Sequence, residues 1–298
     1  DDYINIESTF EDFSSGMTID FMIKPDFDRA GFQRFFQTQS ALEPVTNYIL
    51  IGRTDVPSDL YFAIGVGSVN YQIIINDIIE NNIWQQFSVT MDESGFTELY
   101  KDGAKIGEDT FDIPSSILRT ISWLGKPDND GLEETGLDNY FSGNLDNFSF
   151  WNRNLTLEEI KDIEFIEDKN NLLADWKFNS GSGNILYDHS GNANHGTIHG
   201  ATWVENIYGC TDSYANNHNP DANWDDGSCS YPDNGDYSLS FDGSSFIDIP
   251  ISQEILEGSI YVRLKFDDIN FSGEHIGIYT SSTEPFENGS WALLGIHT

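Results

Sequence analysis

Thr18-Ile19-Asp20-Phe21-Met22-Ile23-Lys24 alternates apolar and polar side chains at period two, the mark of a strand with one buried face. Pro25 ends the run, because proline has no N–H to give a ladder. The same pattern predicts strands from Tyr48 to Ile51, Tyr61 to Val66, Tyr71 to Ile75, Phe87 to Thr90 and Thr97 to Tyr100, each bounded by Gly, Asn, Asp or Pro. Lys101-Asp102-Gly103 predicts a tight hairpin in which Gly103 takes the positive φ of a primed turn. The helical signal is brief: Thr156 as N-cap, Glu158 and Glu159 in the first turn, Ile160 and Ile163 on one face. Many short strands with one short helix predict an all-β fold, an antiparallel sandwich.

Composition narrows the partners. The 298 residues carry 14 Lys+Arg against 50 Asp+Glu, a formal net charge of −36. Backbone phosphates and anionic membrane surfaces demand clustered cations, so neither nucleic acid nor such a membrane is an expected partner. With 38% hydrophobic and 14% aromatic residues, the chain has the large apolar groups a core needs. No apolar run approaches the roughly 18 residues of a membrane span, so no membrane insertion is expected. Cys210 and Cys229 bracket a Gly/Asn/Asp-rich stretch that has little apolar surface to bury free thiols. They are therefore expected to pair, which suits an oxidising compartment and is worth about 3 kcal/mol for a loop of this size.

Segments of the chain echo one another. Gly16-Met-Thr-Ile-Asp-Phe-Met-Ile-Lys-Pro-Asp-Phe matches Gly258-Ser-Ile-Tyr-Val-Arg-Leu-Lys-Phe-Asp-Asp in pattern, and Tyr3-Ile-Asn-Ile matches Phe246-Ile-Asp-Ile. Glu43-Pro44 and Tyr48-Ile-Leu-Ile-Gly52 find counterparts in Glu284-Pro285 and Trp291-Ala-Leu-Leu-Gly295, and the matches as a set stand at offsets of 241 to 243 residues. The chain opens on Asp-Asp-Tyr, with no Met or signal segment, and is expected to be a window cut from a longer tandem array.

The motifs resemble laminin-G-like domains of the concanavalin A-like lectin superfamily. Asn171-Leu-Leu-Ala-Asp-Trp-Lys-Phe-Asn-Ser-Gly-Ser-Gly, Tyr187-Asp-His-Ser-Gly-Asn-Ala-Asn-His-Gly-Thr and Gly200-Ala-Thr-Trp203 look like that family's opening segment. Ser240-Phe-Asp-Gly243 looks like its next strand. Trp84-Gln-Gln-Phe-Ser-Val-Thr, Leu99-Tyr-Lys-Asp-Gly103 and the run from Phe141 to Ile160 look like its middle and closing segments. The resemblance implies a jelly-roll of two antiparallel sheets. The expected divisions are a sandwich over 1–170, the opening segment of a second unit over 171–208, a Cys-bracketed acidic insert over 209–232, and the continuation of the second unit over 233–298. The insert is similar to one common in secreted proteins of Bacteroidetes, which implies a large secreted or cell-surface parent, exported by the type IX pathway, such as an adhesin of gliding bacteria.

Hydrolases of that superfamily carry Glu-x-Asp-x-x-Glu on one strand, where period two aims the carboxylates into a cleft. No such run occurs, and Glu159-Ile-Lys-Asp162-Ile-Glu164 has the wrong spacing and sits on the predicted helix. No Gly-x-Ser-x-Gly elbow accompanies His189, His195 and His199, which read as structural loop histidines. No catalytic residue is expected. Calcium is the expected cofactor, since Ca2+ takes six to eight oxygens and Asp/Asn-dense loops supply them. One place is Asp188 with Asn192 and Asn194; by resemblance these would pair with Asp146, which they meet only if 171–204 completes the first sandwich instead of opening the second. Another is Asp221-x-Asn223-x-Asp225-Asp226-Gly227, which imitates an EF-hand start but puts Gly one position late; a solvated, disulfide-tied linker is the alternative. Asp128-Asn129-Asp130-Gly131 reads as an ordinary turn. For carbohydrate binding, Trp84, Trp176 and Trp291 fall in strand-like runs and should be buried, which leaves Trp123 and Trp224 as the better exposed platforms. The function expected is a non-catalytic extracellular module of a repetitive cell-surface adhesin, binding extracellular polysaccharide or surface glycans beside neighbouring repeats of its parent. The alternatives are a spacer without a ligand and, last, a glycoside hydrolase or its accessory domain.

Overall fold

The computed structural model describes residues 2–29, 31–41, 47–127, 138–233, 235, 239 and 240, and the backbone of two strands at 275–281 and 292–297. Expectations that fall on Glu43-Pro44, on Asp128 to Gly131, on 246–249, 258–268 and 284–285 and on Trp291 lie outside the described residues. Two compact units divide at Asp233 and Asn234.

The first unit contains seventeen described strands and a short helix. In order they are β1 (Tyr3–Ile6), β2 (Met17–Pro25), β3 (Phe32–Gln39), β4 (Tyr48–Arg53), β5 (Leu60–Val66), β6 (Val69–Ile75), β7 (Gln85–Met91), β8 (Phe96–Lys101), β9 (Ala104–Thr110), β10 (Ile121–Leu124), β11 (Asp138–Asn139) and β12 (Gly143–Trp151). Helix α1 (Leu157–Lys161) follows, then β13 (Leu172–Trp176), β14 (Ile185–Leu186), β15 (Gly196–His199), β16 (Tyr208–Gly209) and β17 (Trp224–Asp225). The larger sheet runs β14-β15-β1-β10-β3-β4-β5-β6, with β11 parallel to β3; the smaller runs β13-β12-β2-β7-β8-β9. Every other pairing in the two sheets is antiparallel. The predicted jelly-roll sandwich is thus the observed architecture.

Period two supplies the core. Ile19, Phe21 and Ile23 of β2 and Phe148 and Phe150 of β12 point inward from the smaller sheet, and Ile4, Phe36, Ile51, Phe62 and Leu124 meet them from the larger. Phe36 is the hub of this contact, with the rings of Phe148, Phe150 and Trp176 centred 5.1, 5.4 and 6.4 Å away. The Asp102-Gly103 turn has φ of 48° and 74° and joins β8 to β9 in the register Lys101↔Ala104, the primed hairpin its sequence demands. Thr156 caps α1 in a reciprocal capping box with Glu159, and Ile160 buries against Tyr100, Trp151, Leu155 and Leu172 on the outer face of the smaller sheet.

The 171–204 segment lies in this first sandwich. β13 extends the smaller sheet beyond β12, β15 pairs with β1 in the larger, and Trp176 is fully buried between the sheets. A boundary at 170/171 would cut both sheets. Of the two phases open from sequence, the one in which the segment completes the first unit is the one the strand pairing follows.

In the second unit, β18 (His275–Ser281) pairs antiparallel with β19 (Ala292–His297). Its register passes from Gly277↔Gly295 to Tyr279↔Leu294 across an irregularity, and β3–β4 passes from Arg34↔Gly52 to Phe36↔Ile51 across another. Each of these second-unit positions stands 243 residues beyond its first-unit counterpart, the offset at which Tyr48–Gly52 matches Trp291–Gly295 in sequence.

One outward residue of the smaller sheet is out of keeping. Asp20 is buried under α1 and the turn after it, and loss of water pushes its carboxyl up to about 7, against the opposing hydrogen bonds from Ser88 and Gln86 and with the Glu164 charge adding to the rise. The native state therefore holds a proton between about pH 4 and 7 that the unfolded chain releases. Stability from this group falls as pH rises through that window, by at most about 1.4 kcal/mol per pH unit, and stays at its lower value above it. Asp20→Asn keeps an acceptor for Ser88 and Gln86 without the charge. Denaturant titrations should show the variant gaining on the parent by several kcal/mol from pH 4 to pH 8; an equal difference at both pH values would refute the assignment.

Candidate functional site

The site forms where β12 leaves regular pairing. Between Asp146↔Met22 and Ser149↔Asp20 the register slips by one residue, and Asn147 takes a φ of 46°. Such a bulge re-aims the neighbouring side chains. Asp146 becomes buried; one carboxylate oxygen accepts from the Asn147 N–H at 2.8 Å, and the other accepts from Asn206 Nδ2 at 2.7 Å. Burial raises its pKa, the two hydrogen bonds oppose the rise, and Glu164 adds to it.

Asn206 belongs to an irregular strap, residues 200–207, that follows β15. Trp203 fixes the strap from one side by donating its Nε1–H to the Gly183 carbonyl at 2.8 Å. A cavity lies on each side, and Asp146, Phe178, Trp203, Val204 and Asn206 border both. The smaller, of about 290 Å³, is rich in aromatic groups, including Tyr3, Trp84, Tyr140 and Phe141, with Asn144 and Arg29 as polar members. The larger, of about 830 Å³, opens over the outer face of β12 and β13 and is lined by Asn147, Glu164, Asp175, Lys177, Phe165 and Tyr208. Phe165 and Tyr208 are exposed by 79% and 58%. Burial raises the Asp175 pKa, with Lys177 the first of the cations opposing it, its Nζ 3.9 Å away. Open aromatic faces interleaved with carboxamide, carboxylate and ammonium groups suit a ligand that has both apolar ring faces and hydroxyl groups.

The residues singled out from sequence are distributed differently. Asp188 is buried, and its two oxygens accept four hydrogen bonds, from the N–H groups of Asp175, Ser190 and Asn194 and from the Ser190 hydroxyl. Those four bonds take all four of its lone-pair positions. Asn192 and Asn194 donate to the Leu172 and Leu173 carbonyls, and the Asn194 carbonyl accepts from Trp176 Nε1. This motif stitches the 186–196 connection to β13. Asp146 and Asp188 therefore hold separate sets of partners and share no ligand cluster. His195 Nδ1 accepts from the Asp188 N–H, and His199 stacks on Tyr3 at 4.6 Å.

In the insert, Asp221, Asp225 and Asp226 are exposed, and the last two accept from the N–H groups of Gly227 and Ser228 in local turns. Asn223 faces the strap: it accepts from the Ile207 N–H at 2.9 Å and donates to the Glu205 carbonyl at 2.8 Å. Cys210 and Cys229 are bonded, as expected. Among the described residues no three His, Cys, Asp or Glu side chains gather in a group that could hold a metal ion.

The Trp expectation needs correction. Trp123 is only 6% exposed, because β10 lies between β1 and β3 and Lys126 sits over the ring, so the turn after it leaves no open platform. Trp224 is half-buried against Trp84, at 4.5 Å between ring centroids, and Trp84 is itself only half-buried. The strap residues Trp203 and Asn206 and the groove residues Phe165 and Tyr208 were missed. The strap has no periodicity to betray it, and an exposed aromatic is invisible to a pattern search that assigns aromatics to the core.

Two sheets in this order, with a rimmed groove on the outer face, define a lectin-like β-sandwich. The chain belongs to the concanavalin A-like lectin/glucanases superfamily, whose laminin-G-like family model matches residues 1–161. Among curated proteins no match is found. Similar solved structures include a candidate carbohydrate-binding protein from Bacteroides ovatus, at 17% identity and a TM-score of 0.49, covering 67% of this chain and 56% of that one. The chain thus spans little more than half the length of that protein. A heptameric SAP-like pentraxin from Limulus polyphemus is similar at 17% identity and a TM-score of 0.41, covering 57% and 77% of the two chains. The CBM40 of Ruminococcus gnavus IT-sialidase, solved with α2,3-sialyllactose, is similar at 11% identity and a TM-score of 0.41, covering 53% and 92%.

Proposed function

We propose that this chain is a non-catalytic, extracellular glycan-binding module whose site is the pair of cavities flanking the Trp203–Asn206 strap. The observation that carries this reading is the combination, in one open groove, of the exposed faces of Phe165 and Tyr208 with Asn147, Asp175 and Lys177 beside them. Stacking provides affinity for sugar rings and the polar groups choose among hydroxyl patterns. Binding is favoured over hydrolysis because the sequence has no Glu-x-Asp-x-x-Glu run to set paired carboxylates along one strand. The net charge of −36 repels polyanions at low ionic strength, so the ligand class is neutral polysaccharide.

A place in a repetitive surface adhesin is a further part of the reading. It is supported by the hairpin register that recurs 243 residues on, and by a disulfide suited to an oxidising compartment. Calcium, in this reading, is drawn to the exposed carboxylates of Asp221, Asp225 and Asp226 in the insert, which form no ready three-carboxylate cluster and would have to close around the ion, while the oxygens of Asp188 are taken up by four hydrogen bonds.

Affinity electrophoresis in gels containing a neutral β-glucan, xylan or mannan, with hyaluronan as the anionic control, tests the ligand class. Retention by a neutral polymer is expected, weakened roughly fivefold by Phe165→Ala, since one stacked ring contributes about 1 kcal/mol. Passage through every gel without retardation would contradict the reading and favour a spacer without a ligand. Melting curves with calcium chloride and with EDTA test the ion: Ca2+ should raise the melting temperature, and superimposable curves would remove calcium from the account.

A further inference from the structure

The insert has too little apolar surface to hold itself in place. Among residues 205–231 only Cys210 and Ala215 are buried hydrophobic positions, and Tyr214 is 88% exposed. Its order comes from a covalent ring and a few contacts. β16 pairs in parallel with β17, and the Cys210–Cys229 bond closes a ring that contains β17 and begins directly after β16. Trp224 in β17 lies on Trp84 at 27° between ring planes and 4.5 Å between centroids, and the neighbouring Asn223 carbonyl accepts from Lys24 Nζ at 3.3 Å. Both partners belong to the sandwich, Lys24 in β2 and Trp84 just before β7.

The same two insert residues grip the strap. The Asn223 carboxamide bonds the Ile207 N–H and the Glu205 carbonyl, and the N–H groups of Asn223 and Trp224 donate to the Ile207 carbonyl at 3.0 and 3.2 Å. The Tyr208 ring rests 5.5 Å from that of Trp224. Between Glu205 and Ile207 stands Asn206, whose side chain reaches Asp146 between the two cavities.

We propose that the insert is a clamp: Trp224 and Asn223 are positioning residues that hold the Trp203–Asn206 wall of the binding site against the sandwich, and the Cys210–Cys229 ring keeps them in register. Trp224 is then neither a sugar platform nor part of a free linker. The segment is an irregular wall with few backbone hydrogen bonds of its own, and such walls open locally unless tied from outside. A site whose wall is held by supporting contacts binds without the cost of ordering it. The role in ligand binding rests on the glycan reading of the cavities; the mechanical role does not.

Hydrogen exchange on the full chain separates the two. In Trp224→Ala, and in the Cys210→Ser/Cys229→Ser pair, the Ile207 amide should exchange roughly tenfold faster or more while the amides of Phe21 and Phe148 keep their protection. Asn223→Ala, a smaller change, should release the same amide if the larger ones perturb the fold. Retention by whichever neutral polysaccharide slows the parent chain should fall roughly tenfold in step with it. Unchanged Ile207 protection in Trp224→Ala would overturn the clamp. Fast Ile207 exchange in the variants of a chain that no polysaccharide retains would uphold the clamp and sink the glycan reading alone.

Discussion

The architecture depends on the return of the chain after α1. β13 and β15 add a strand to each sheet, on opposite sides of the core, and Trp176 fills the space between them beneath Phe36 and Phe148. Without this segment, β12 and β1 would each present an open edge, and Trp176 would leave a void of the size that costs roughly 3–5 kcal/mol. The family match ends at residue 161, before this segment begins, yet Ala174, Trp176 and Leu186 are buried in the same core as the inward residues of β2 and β7. Asp188 serves the same end: a buried carboxylate that takes four hydrogen bonds, three of them from backbone N–H groups, is a fastener for the connection between β13 and β15.

Function is built on that closure in successive steps. Closing the larger sheet at β15 delivers the chain to the strap, the bulge in β12 turns Asp146 to meet it, and the insert holds it from the far side. Each layer is less regular than the one beneath it and depends more on single hydrogen bonds and ring contacts. Irregular backbone is tolerated at the rim because water and side chains can satisfy it there, and a rim is also where ligand specificity is free to vary on a fixed sandwich.

What the sequence disclosed was local. The β2 alternation, the Asp102-Gly103 turn and the Thr156/Glu159 capping box depend on neighbours within a few residues, and each appears in the structure where its residues called for it. Long-range pairing was less legible: β1 meets β15 almost two hundred positions away, so periodicity left open which sandwich the 171–204 segment completes. Trp123 was misjudged for the same reason, its exposure being decided by β1 and β3 on either side and not by the turn that follows it. The hydrogen-bonding role of Asp188 was not legible because a residue rich in lone pairs serves backbone N–H groups and calcium equally well. The cavities were hidden because nothing in the spacing of Trp203, Asn206 and Asp146 reveals that a bulge brings them together.

Native-state hydrogen exchange under rising denaturant addresses the closure directly. The amides of Ala174, Trp176 and Ile198 should merge with those of Ile19, Phe21 and Val89 into one opening at the global unfolding free energy, since all belong to a single core. If β13 and β15 open first at a distinctly lower free energy while β2 and β7 remain protected, the closing strands are an accessory to a sandwich complete without them, and the dependence of the strap and its cavities on that closure is contradicted.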